Sequence, residues 1–211
     1  VKINLQSVKQ LAIFGMASLV ISCGGGDGAV PVKAKPVPKG TISGVILMGA
    51  VRDAEITVYG FDPKSQLVNE KDPVKVISSR ESTDSEGRFS FELQLPAKIT
   101  PLLICTTAGT YNEPAAPLNS DNAVKSFGPT DKLCTAIEYE KGVSQEISIT
   151  HYTHLATGLL KHKLAHGGKL LTSFKKSSDP QKEDTIVLGS IQQANYEIGL
   201  WLGFDIVSTI P

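Results

Sequence analysis

The chain has 211 residues, with 21 Lys and Arg against 21 Asp and Glu, and a formal net charge of zero at pH 7. That balance excludes the strong basic field with which a protein holds nucleic acid through its phosphates. The length suits one medium domain plus a smaller unit.

The amino-terminal segment comes first. Lys2 and Lys9 make it positive, Leu11 to Ile21 carries no charge, and the small residue Ser22 precedes Cys23. This is the layout of a secretory signal peptide, and its apolar run is too short to span a bilayer comfortably. The ending "VISC" resembles the lipobox of bacterial lipoproteins. That resemblance implies cleavage before Cys23 and acylation of both its sulfur and its new amino terminus. Several acyl chains on one residue form a stable anchor, where a single chain is marginal. An ordinary signal peptide with a nearby cysteine, and a buried helix, are the alternatives. Gly24 stands where inner-membrane retention uses Asp, so the analogy implies the outer membrane of a bacterial envelope, on its periplasmic or its surface side. No further run of membrane-spanning length follows. Residues 24–39 are a tether: glycines at 24–26 rotate freely, and Pro31, Pro36 and Pro38 stiffen the rest.

From Gly40 to Thr150 the pattern is that of β-structure. In "RFSFELQL", Phe89, Phe91, Leu93 and Leu95 alternate with Ser90, Glu92 and Gln94, which predicts a strand with one buried face. "TISGVIL", "AEITVYGFD", "PLLICTTAG", "KLCTAIEYE" and "QEISIT" continue the series. About seven short strands separated by Gly, Pro and Asp turns predict a β-sandwich. In "TDSEGRF", Asp84 and Gly87 have the chemistry of a hairpin turn. A calcium loop is the other reading, but it needs more oxygen donors at set offsets and a closing bidentate Glu.

"GTISGVILMGAVRDAEITVYGFD" and "STDSEGRFSFEL" resemble the carboxypeptidase-regulatory-like, or transthyretin-like, β-sandwich module of secreted and surface proteins. The matching residues are Gly44, Ala54 to Val58, Thr83, Asp84, Gly87 and Phe89. "GTYNEPA" and "ISITHYTHLA" are similar to a loop and a junction of a lipoprotein subgroup. His151 and Tyr152 replace Pro-Leu at that junction, and Pro114 replaces an acidic residue in the loop. The family is a scaffold, so the resemblance implies an adhesive, structural or ligand-presenting role. It also implies an oxidising compartment, where thiols pair. Cys105 and Cys134 lie in predicted strands flanking a loop of about 25 residues, long beside ordinary connections. A disulfide between them is expected. Two buried thiols, or a Cys-His nucleophile, are the other readings. The loop, residues 108–131, is the candidate recognition element, with Tyr111, Asn112 and Glu113 as ligand-binding candidates. The competing reading is that Tyr111 and Glu113 only pin the loop to its own domain.

After Thr150 the period becomes helical. "HYTHLATGLLKHKLAHGG" predicts a helix capped by Thr150 and stopped at Gly167 and Gly168. All four histidines lie in it, within an arc of about 120°. His162 and His166 have the i, i+4 spacing that can share a metal ion, and a solvated polar face is the alternative. "QKEDTIVLGSIQQANYEIGLWLGFD" predicts a second helix, with Val187, Ile191, Ala194, Ile198, Trp201 and Leu202 at helical spacing. The two helices are expected to pack on each other and on the end of the sandwich. By the resemblance, the chain is an amino-terminal portion or a shortened member.

The expected organisation is therefore a signal at 1–22, a lipidated linker at 23–39, a mainly β domain at 40–150 and a helical segment at 151–211. No catalytic residue and no cofactor are identified. There is no nucleophile elbow, phosphate loop or H-E-x-x-H. The expected function is non-enzymatic: a lipid-anchored envelope protein presenting a β-sandwich to a protein or glycan partner. A metal-binding periplasmic accessory protein, and an accessory module of a longer enzyme, are the alternatives.

Overall fold

The computed structural model describes residues 36–62, 64–76, 78–79, 83–112, 124–128, 131–176 and 185–206. The proposed signal, Cys23, most of the linker and Glu113 lie outside these residues.

The chain is mainly β. Its strands are β1 (Gly40–Leu47), β2 (Glu55–Phe61), β3 (Val68–Pro73), β4 (Ser78–Ser79), β5 (Arg88–Leu93) and β6 (Ile99–Thr107). They continue as β7 (Thr110–Asn112), β8 (Val124–Ser126), β9 (Leu133–Glu140) and β10 (Gln145–Thr150). Helix α1 (His151–Ala165), the short pair β11 (Phe174–Lys176) and β12 (Thr185–Val187), and helix α2 (Ser190–Leu202) follow. One four-stranded sheet has the order β10-β1-β5-β4, the other β3-β2-β6-β9. Pairs β7-β8 and β11-β12 stand apart as two-stranded units. β1 runs parallel to β10 and antiparallel to β5.

Strand alternation sorts the side chains into layers. Ile42 and Ile46 of β1, Phe89, Phe91 and Leu93 of β5, and Ile147 and Ile149 of β10 join Val58, Leu102, Ile104 and Tyr139 in one core shared by both sheets. β6 and β9 are covered on both faces. Leu102 and Ile104 enter the shared core, while Leu103 and Cys105 enter a second one. Leu133 and Ile137 divide from Cys134 and Ala136 in the same way. This double burial explains the unbroken apolar run "LLIC", which a strand with one solvated face would not carry.

The second core is completed by Leu160, Leu164, Ile191 and Ala194 of the helices. The helices thus pack on the face of the β3-β2-β6-β9 sheet, and not at its end. Against the sequence expectation, α2 begins at Ser190, and residues 185–187 form a strand. Gly189 sits at this junction because a Cβ there would lie 2.3 Å from Glu138 Oε1 and 2.5 Å from Leu171 O. α1 starts where expected. Thr150 Oγ1 accepts the Tyr152 and Thr153 N–H groups, and Thr153 Oγ1 accepts that of Thr150, forming a reciprocal cap.

The turn reading of "TDSEGRF" matches the geometry. Asp84 Oδ1 accepts the N–H groups of Glu86 and Arg88 at 3.0 and 2.8 Å, and Gly87 has φ +75°. That left-handed backbone is available to glycine at little cost. No described helix is long and apolar enough to cross a membrane.

Candidate functional site

The long loop returns to the sheets beside the amino terminus of α1. There Met48, Tyr111, Phe127, Asp131, Lys132 and His151 line a cavity of about 280 Å³. A second cavity, of about 590 Å³, lies between Leu47, Gly49, Thr150, His151 and Tyr152. His151 borders both, so the two cavities adjoin at the start of α1 and together form the loop-end cleft. α1 places His151 there because the Thr150 cap fixes where the helix begins.

The loop residues in the cleft are held from within. Tyr111 meets Phe127 edge-on, with centroids 5.7 Å apart, and both pack on the shared core. Asn112 Oδ1 accepts from Arg52 Nη2 at 3.2 Å. Asp131 Oδ2 accepts the Gly128 N–H at 2.8 Å, which closes the returning strand. So Tyr111 and Asn112 each make a contact that pins the loop, while Tyr111 also presents surface to the cleft.

Lys132 was not singled out by sequence. Its Nζ lies 3.0 Å from Glu70 Oε2 and 5.5 Å from the centroid of the Tyr59 ring. Glu70 also accepts from Lys161 at 2.9 Å, which ties β3 to α1. The hydrogen bonds from Lys161 and Lys132 hold the Glu70 carboxyl below its ordinary pKa. Nothing in the spacing of three residues so far apart in sequence could have revealed this cluster. The cleft sets ring faces beside hydrogen-bond donors and acceptors.

The histidines do not act as one set. His154 turns inward, where its Nδ1 accepts the Cys134 N–H at 3.2 Å. Burial, with the nearby Lys161, His151 and Lys132, keeps its pKa below the usual value. His162 and His166 are exposed, with ring centroids 4.1 Å apart. Among the described residues no group of three or more His, Cys, Asp or Glu side chains could hold a metal ion.

Cys105 and Cys134 form the expected disulfide, on directly paired residues of β6 and β9, with Cα atoms 4.1 Å apart. Both are 1 % exposed and face the helices. With the sulfurs joined, neither cysteine can serve as a nucleophile.

A further concave surface, of about 600 Å³, runs along the outer side of α2 between Leu188, Tyr196, Leu200 and Phe204. Trp201 beside it is 83 % exposed. Comparison of the chain with protein-family models, curated proteins and solved structures finds no match.

Proposed function

We propose that this is a lipid-anchored protein of the bacterial envelope, built on a transthyretin-like β-sandwich that presents the loop-end cleft to a partner. The disulfide is the observation that carries the reading. A bond of this kind forms and persists outside the reducing cytosol. That agrees with export by the segment ending at Cys23, and with acylation of that cysteine. The two four-stranded sheets with one shared core support the sandwich assignment. The cleft suits an extended peptide or a glycan, whose flat apolar faces stack on rings while its polar groups meet Lys132, Asp131 and His151. No reaction is assigned to it.

Labelling of cells with radioactive palmitate tests the anchor. The native chain takes up label and fractionates with the outer membrane. Cys23→Ser abolishes the label and leaves an unprocessed precursor. Continued labelling of Cys23→Ser overturns the anchor.

A further inference from the structure

We propose that His162 and His166 form an exposed two-imidazole site for a divalent transition metal, with Cu(II) the strongest binder. The pair lies at the carboxyl end of α1, more than seven residues, or about 12 Å of helix, beyond His154. It is therefore separate from the loop-end cleft, which His151 borders at the other end of α1.

Three observations carry the site. The first is proximity. Two imidazole nitrogens on one ion, each about 2.0–2.1 Å from it, stand about 3 Å apart. The rings of His162 and His166 lie against each other, with centroids 4.1 Å apart and planes inclined by 36°, and rotation of the exposed His162 side chain turns one of its nitrogens toward an ion held by His166.

The second is the hydrogen on His166. Its Nδ1 lies 2.8 Å from the carbonyl oxygen of His162. A carbonyl only accepts, so in the neutral imidazole Nδ1 carries the hydrogen and Nε2 has the free lone pair. Metal-bound imidazoles are commonly oriented in this way, by donating the other N–H to a backbone carbonyl.

The third is charge. The carboxyl end of a helix is the negative end of its dipole, which favours a cation. The two lysines nearest in sequence are engaged elsewhere, Lys161 with Glu70 and Lys163 with Glu197. Both histidines are open to solvent, so an ion reaches them without any movement of the fold.

Two protein ligands leave the other coordination positions to water or to a small donor from outside. The site is thus open and exchangeable, unlike a closed four-ligand zinc site. Imidazole suits copper, nickel and zinc, and the general order of divalent affinities puts Cu(II) above Ni(II) and Zn(II). Binding needs neutral imidazoles, so it weakens as pH falls.

The test is calorimetric titration of the full chain with Cu(II) and with Zn(II) at about pH 7.5, where imidazole is mostly neutral. The expected result is about one Cu(II) per chain, with Zn(II) binding more weakly. His162→Ala and His166→Ala each weaken Cu(II) binding by about tenfold or more, as loss of one of two ligands demands. His151→Ala leaves the affinity unchanged. Electron paramagnetic resonance of the copper-loaded chain shows nitrogen coupling, which either substitution reduces. Since both side chains are exposed, thermal melts of the variants match the native melt and show that the fold is intact. Absence of saturable binding, or equal affinity in His166→Ala, overturns the site.

Discussion

The backbone N–H of Cys134 donates to Nδ1 of His154, 3.2 Å away, and so meets a helix where a further strand could have paired. β9 is an edge strand of its sheet, and edges with free N–H and C=O groups invite pairing with other chains. Here α1 covers the edge. The Thr153 hydroxyl lies 3.4 Å from the Cys134 carbonyl, so both polar groups of that residue are met by consecutive helix side chains. The strand, the disulfide and the helix are joined at one residue.

This arrangement predicts an acid-sensitive contact. Accepting the Cys134 N–H requires an unprotonated Nδ1. Burial, then Lys161, His151 and Lys132, lower the His154 pKa from 6.5. Among the described residues Glu70 is the carboxylate that pairs with Lys161 and Lys132, and it is already occupied by them. Between the folded and unfolded pKa values the unfolded chain holds more protons, so stability rises with pH there. The contribution is complete above 6.5 and is lost as pH falls through the lower folded value. Melting temperature measured from about pH 8 to about pH 5 is expected to fall for the native chain. His154→Asn, which keeps an acceptor that does not titrate, should flatten that fall. Equal slopes in the two proteins would locate the acid sensitivity elsewhere.

Thr83 predicts a different loss. It is 3 % exposed, its hydroxyl donates to Val51 O at 2.6 Å, and it accepts the Ala54 N–H at 3.1 Å. The side chain thus closes two backbone groups in the β1–β2 connection. Thr83→Val keeps the shape and strands both groups, at a cost of about 1–3 kcal/mol for each buried group left unpaired. Thr83→Ser keeps the hydroxyl and loses only a methyl group, about 1 kcal/mol. Urea denaturation of the three proteins ranks them native, Ser, Val. A Val variant as stable as the Ser variant would show that water reaches Val51 O and Ala54 N.

Parts of this fold are readable in the sequence because local chemistry determines them. Phe89, Phe91 and Leu93 alternate because β5 has one buried face. Thr150, with Thr153 and Gly167, frames α1 by capping alone. Other parts depend on contacts that no local pattern carries. β3, "VNEKDP", is an exposed polar edge strand ending in proline, so neither alternation nor apolarity marks it. Val187 keeps helical spacing to Ile191, yet the chain is extended there and turns into α2 only after Gly189 passes Glu138. The pairing of Cys105 with Cys134 follows from two cysteines flanking one loop. Their facing the helices does not, because the sequence cannot show which side of β6 the helices cover. Likewise the spacing of the histidines is visible, but the inward turn of His154 onto a strand N–H is not.

Trp201, the single tryptophan, gives a spectroscopic prediction. At 83 % exposed it has native surroundings close to those of the unfolded chain. Its emission should therefore be water-like and readily quenched by acrylamide in the folded protein, and should shift little on unfolding. Near-ultraviolet emission is accordingly a poor probe of stability here, and circular dichroism is the better one. A strongly blue-shifted native emission would mean that the outer side of α2 is covered in solution.

The disulfide makes the last prediction. Its cysteines are 29 residues apart, and a loop of that size, once cross-linked, restricts the unfolded chain enough to stabilise the fold by about 3.5 kcal/mol. For a chain of this length that corresponds to roughly 10 °C in melting temperature. The bond is buried between Leu103 and Ala136 of the sheet and Leu160 and Ile191 of the helices. Reductant reaches it only when the helical layer opens, so the folded protein should resist a mild reducing agent that acts at once on the unfolded chain. Replacing both cysteines by alanine removes the cross-link without leaving a reactive thiol. The double variant should fold to the same circular dichroism spectrum and melt about 10 °C lower. Because the same substitutions also leave a small cavity beneath α1, a reduced but unsubstituted chain is the second arm. Its melting point separates the cross-link from the packing. If the reduced chain melts with the native one while the alanine variant falls, the stabilisation comes from sulfur packing against the helices and not from closing the loop.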